Sequence, residues 1–86
     1  MADTHHYNYY KKDQFIYFPD EPATHIYMIV SGRVLLGRYQ ENGKEVVSAI
    51  LTNGEIFGEL AIAGEERRND FAQAMEPNTT ICPLSI

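Results

Sequence analysis

Cysteine occurs once in these 86 residues, at Cys82. A single thiol can form no intrachain disulfide and no multi-cysteine metal or iron–sulfur site within one chain. Flanked by Ile81 and Pro83, it reads as a small buried hydrophobe. Positive charge is scarce too: Lys+Arg number 7 against 12 Asp+Glu, for a net charge of −5. The electrostatic footprint of a nucleic-acid-binding surface is therefore missing. Long apolar runs are absent as well: no segment approaches the ~20 residues of a membrane span, and "MADTHHYNYYKKD" has no signal-peptide core. The sequence reads as cytoplasmic, with no membrane partner. Histidine stops at His25, and His5, His6 and His25 include no His-x-His pair, so no metal centre is expected. With no serine or cysteine placed beside a general base, no catalytic residues are assigned and enzymatic activity is not expected.

What is present is a succession of short apolar runs separated by turn residues. Residues 1–14 are polar and tyrosine-rich without a period, and read as an irregular lead-in. From Phe15 the pattern changes: "FIYF" is stopped by the "PDEP" turn, and "HIYMIVSG" gives a second strand over His25 to Val30. Asn42-Gly43 between two apolar-rich runs predicts a tight hairpin joining strands at about Arg33 to Gln40 and Glu45 to Leu51. "IFGELAIAG", Ile56 to Gly64, favours a short helix, because Glu59, Leu60, Ala61 and Ala63 are good helix formers between glycines. "FAQAME" alternates apolar and polar, and "TTICPLSI" is a further strand candidate. Many short strands with one short helix argue for a mainly β fold, a sandwich or roll.

The chemistry concentrates between Gly54 and Ala74. Gly58 permits a close approach just before a helix start whose free N–H groups can face an anion. Glu59 could accept hydrogen bonds from sugar hydroxyls, and Arg67 and Arg68 carry planar guanidinium groups suited to phosphate oxygens. Spacing alone leaves two arrangements open: an anion site, or an internal Glu59–Arg68 salt bridge that holds the loop closed. The second stands slightly ahead on this ground, since such pairs are common.

The order of residues adds a resemblance. "NGEIFGELA…R" resembles the phosphate-binding cassette of the cyclic nucleotide-binding domain, with Gly54, Phe57, Gly58, Glu59, Leu60, Ala61, Arg68, Ala72 and Ala74 in step. Upstream, Tyr27, Ile29, Gly32, Val34, Gly43 and Glu45 match the same family, and CRP/FNR-type transcription regulators are its most similar branch. The resemblance implies a jelly-roll-like β-roll over residues 15–86 with a short helix in the cassette, followed in that branch by a dimerising helix and a helix-turn-helix domain. It implies a sensor with no required cofactor, a cyclic nucleotide (cAMP or cGMP) as effector, a homodimeric full-length protein, and DNA contacts made only by the further domain. It also implies roles: Glu59 on the ribose 2′-hydroxyl, Arg68 on the cyclic phosphate, and the backbone of Gly58, Leu60 and Ala61 orienting both.

Two positions depart from the family pattern. Where a small hydroxyl residue or alanine usually follows the arginine stands Asn69, and where alanine usually comes next stands Asp70. A carboxylate within about 4–6 Å of a phosphate disfavours the charged ligand. Asp70 could turn to solvent, pair with Arg67, or occupy Arg68 as an internal substitute for the ligand. The alternative function is accordingly a β-roll with a degenerate pocket, serving dimerisation or protein contacts.

Overall fold

The computed structural model describes residues 6–59, 64 and 66–85. Eight strands run among them: β1 (Asn8–Tyr10), β2 (Phe15–Tyr17), β3 (His25–Ser31), β4 (Val34–Tyr39), β5 (Glu45–Leu51), β6 (Ile56–Phe57), β7 (Phe71–Ala74) and β8 (Thr79–Ser85). They form two four-stranded sheets, ordered β1-β8-β3-β6 and β2-β7-β4-β5. The registered pairs are all antiparallel. The mainly β roll expected from the sequence is the observed architecture.

Each sheet turns alternate side chains inward, as a pleated strand must. Tyr17, Ile29, Val34, Phe57, Ala72 and Ile81 meet in one core, with Tyr10, Ile16, Tyr27, Leu36 and Leu51 packed against it. Cys82 is buried at 3% exposure, as a small hydrophobe should be. Phe71 is fully buried and lies opposite Gly37, where a Cβ would stand 2.6 Å from the Phe71 ring. The missing side chain of Gly37 is what lets that ring lie down on β4.

The hairpin between β4 and β5 differs in detail from the tight two-residue turn. Gly43 N–H donates to the Gln40 carbonyl and Gln40 N–H to the Lys44 carbonyl, each at 2.8 Å. Only Gly43, at φ +85°, takes the left-handed conformation here. This is a three-residue loop, a turn followed by a left-handed glycine.

Two further expectations are corrected. The lead-in is not wholly irregular, since Asn8–Tyr10 pairs with β8 through Asn8↔Ile81, Tyr9↔Thr80 and Tyr10↔Thr79. Nor does a helix begin at Ile56, because Ile56 and Phe57 are extended and pair with Met28 and Tyr27. The complete burial of Phe57 in the core holds these two residues in the sheet. The rest of the expected helix, Leu60 to Ala63, lies outside the described residues.

Candidate functional site

The "PDEP" turn and the two arginines, far apart in sequence, are held together by backbone bonds. Asp20 N–H donates to the Arg68 carbonyl at 2.8 Å, Arg68 N–H to the Glu21 carbonyl at 2.9 Å, and Ala23 N–H to the Glu66 carbonyl at 2.9 Å. Asp20 makes the turn possible by adopting φ +72°, which aspartate tolerates better than most residues. This short ladder fixes the backbone from which both guanidinium groups project.

They project differently. Arg67 is exposed, and its Nη1 donates to the Asp20 carbonyl at 2.7 Å. Arg68 turns inward and retains 6% exposure. Its Nη1 donates to the Gly58 carbonyl at 2.9 Å and its Nη2 to the His25 carbonyl at 2.5 Å. The guanidinium lies over the Tyr17 ring, 4.4 Å from its centre, and 5.6 Å from that of Tyr27. Phe57 supports both rings from beneath, at 6.2 Å from Tyr17 and 5.2 Å from Tyr27, so the cation rests on an aromatic floor. Each terminal nitrogen gives one hydrogen to a carbonyl, and the guanidinium also engages the Tyr27 hydroxyl, which leaves part of its five-donor fork for an anion.

Gly58 is shaped by this arginine. At φ +80° it sits where side chains are strained, and a Cβ there would lie 2.9 Å from Arg68 Nη1 and 3.2 Å from Tyr27 Cδ2. A Gly58→Ala variant is expected to lose about 1–3 kcal/mol of stability, from backbone strain together with displacement of Arg68. Chemical denaturation of the two proteins would read that difference.

Neither pairing expected for the acids forms. The ion pair among the described residues is Arg33–Glu76, at 2.6 Å on the surface. Glu59 is exposed and does not bridge to Arg68. Asp70 neither turns fully to solvent nor engages Arg67: it is half-buried and accepts a hydrogen bond from the Tyr17 hydroxyl. Burial raises the Asp70 carboxyl above its ordinary range, opposed by the Tyr17 hydrogen bond and then by the Arg68 charge. The Tyr17 phenol is raised by burial first and by the Asp70 charge second. Arg68 is occupied by backbone oxygen, and Asp70 occupies Tyr17 instead.

These residues surround an open cleft lined by Gly58, Glu59, Arg68, Asn69 and Asp70 together with Tyr17. Five of the seven residues assigned from the sequence thus share one cavity; Leu60 and Ala61 lie outside the described residues. Tyr17, Ala23 and Leu36 also line it and were not anticipated. The strand alternation places Tyr17 and Leu36 on inward faces, but only the fold reveals that the roll opens there.

The comparisons agree with this geometry. The family model described as "Cyclic nucleotide-binding domain" matches residues 7–85. A global nitrogen regulator of Synechococcus elongatus is 33% identical over 66 residues, covering 77% of this chain and 30% of that protein. A cyclic AMP receptor protein of Thermus thermophilus is 33% identical over 67 residues, covering 78% of this chain and 31% of that protein. The crystal structure of the Thermus thermophilus catabolite activator protein superposes with a TM-score of 0.86 at 30% identity, over 94% of this chain and 38% of that one. The chain therefore spans about a third of the length of the curated relatives it matches. With the family pattern running through both sheets and the cleft, this chain belongs to the cyclic nucleotide-binding domain family, and its curated relatives are CRP-type transcription regulators.

Proposed function

We propose that this chain is the effector-sensing domain of a CRP/FNR-type regulator, with cAMP or cGMP bound in the cleft between Gly58 and Asp70. The observation that carries the reading is the convergence of Gly58, Glu59 and Arg68 on one cavity within a roll of this family. Arg68 offers its remaining N–H donors to the cyclic phosphate, and Glu59 accepts from the ribose hydroxyl. The regulators it resembles are about three times longer, which leaves room for a further domain to make the DNA contacts of a cytoplasmic homodimer. Control is then by linkage: an effector that binds one arrangement of the dimer more tightly shifts the population toward it. The domain itself performs no catalysis and needs no cofactor in this reading.

A second reading has an observation of its own. Arg68 already spends two donors on carbonyl groups and Asp70 places a carboxylate in the same cleft, which suits a roll that no longer binds nucleotide and serves protein contacts.

Calorimetric titration with cAMP and cGMP separates the two. A saturable heat that weakens at least about tenfold in Glu59→Ala supports the sensor, since a charged hydrogen bond to a hydroxyl is worth about 1.5–3 kcal/mol. Glu59 suits this purpose because it is exposed and supports no other described contact. Absence of heat and of any thermal shift with either nucleotide favours the second reading.

A further inference from the structure

We propose that Asp70 is a charge selector, which lets the cleft accept a monoanionic cyclic phosphodiester while rejecting a dianionic open-chain phosphate monoester. The inference rests on the effector reading above and concerns what that site excludes.

Three observations carry it. Asp70 lines the same cleft as Arg68 and Gly58, so its carboxylate faces the region where a ligand's anionic group meets the guanidinium. It cannot readily swing away, because it is half-buried and bound by the hydroxyl of Tyr17, itself only 3% exposed. The balance of charge around the cavity is already closed: Glu59 and Asp70 stand against Arg67 and Arg68, and Arg67 has been drawn to the Asp20 carbonyl. A first negative charge on the ligand is met by Arg68. A second meets the carboxylate of Asp70 in a partly desolvated site, where Arg68 is already engaged by the first charge and Arg38 acts on Asp70 only more weakly.

Phosphate chemistry supplies the discrimination. A cyclic phosphodiester carries one charge, whereas a phosphate monoester carries about −1.5 to −2 near neutral pH. Hydrolysis of a cyclic nucleotide therefore gives a product that keeps the base and sugar but adds the charge that Asp70 repels. The selector would separate a signal from its own breakdown product without inspecting the base.

The test compares cAMP with 5′-AMP on this chain and on Asp70→Asn, by calorimetry at low and at raised salt, with thermal unfolding to verify that both proteins are folded. Asn is nearly isosteric and can still accept from Tyr17; Asp70→Ala and the charge-retaining Asp70→Glu complete the set. The preference for cAMP over 5′-AMP should fall about tenfold in Asp70→Asn and Asp70→Ala, persist in Asp70→Glu, and shrink with salt in the parent. Binding of cAMP by Asp70→Asn where the parent binds neither nucleotide overturns the selector, because Asp70 would then exclude the cyclic phosphodiester as well. An equal preference in the parent and both neutral variants overturns it while leaving the effector reading intact. Failure of both nucleotides on every protein overturns that reading, and the selector with it.

Discussion

Arg68→Ala is expected to lose about 2–4 kcal/mol of folding stability, lowering the melting temperature by about 10–20 °C for a domain of this size. The reason is that Arg68 is a structural element before any ligand arrives. It is almost wholly buried without a carboxylate partner among the described residues, an arrangement that costs several kcal/mol unless its donors are satisfied. The Gly58 and His25 carbonyls and the Tyr17 face satisfy them. Truncation leaves those two carbonyls short of a donor and opens a gap over the aromatic floor. Arg68→Lys should recover only part of the loss, because one ammonium cannot span both carbonyls or lie flat on a ring. Denaturant titration of the three proteins without ligand would read the order parent, Lys, Ala. Equal stability of Ala and parent would mean that the inward seat contributes nothing to the fold. This double role also bears on binding experiments: lost affinity in Arg68→Ala mixes lost phosphate contact with lost structure, which is why Glu59 is the better control.

Phe57→Ala should be more damaging, by about 3–5 kcal/mol, the usual range for emptying a fully buried phenylalanine site. A domain of this length holds on the order of 4–13 kcal/mol in total, so a large share of the variant would unfold at physiological temperature. Phe57 is wholly buried in the common core and touches Tyr17 and Tyr27, the two rings beneath Arg68. Its neighbour Ile56, half-exposed on the other side of the same two-residue strand, provides the contrast. Ile56→Ala should cost far less, about 1 kcal/mol or under. Urea midpoints of the two variants would separate them, and similar losses would contradict the assignment of β6 as a strand with one buried face.

The difference between Phe57 and Ile56 also shows where sequence reading stopped. Over Glu45 to Leu51 the residues are β-rich and bounded by turns, and the expected strand coincides with β5. The sequence groups Ile56 and Phe57 with the helix formers Glu59, Leu60, Ala61 and Ala63 that follow them, yet these two run extended because β3 offers backbone partners and the core a place for Phe57, partners that only the fold supplies. Asn8–Tyr10 was missed for a related reason: its side chains are mostly exposed, so the strand exists through pairing with β8 and not through any apolar pattern. In the cleft, Gly58, Glu59, Arg68, Asn69 and Asp70 were legible from motif order. The seat of Arg68 was not, because its acceptors are carbonyl groups that any residue would supply. Nor was the Tyr17–Asp70 bond, which requires the "PDEP" turn to be laid against the arginine segment.

The pairing of β1 with β8 has a consequence for how the molecule comes into being. Asn8 sits opposite Ile81, so β1 must wait for a segment made long after it. On a ribosome that waiting time is set by translation: β3 and β1 both flank β8, and neither can close its side of the sheet until Thr79–Ser85 has left the exit tunnel. Such distant pairings place the domain among slow folders, on the order of milliseconds to seconds, and leave unpaired strand edges exposed in the interval. Nascent chains should therefore stay protease-sensitive until nearly the whole domain has emerged, then become resistant in a single late step.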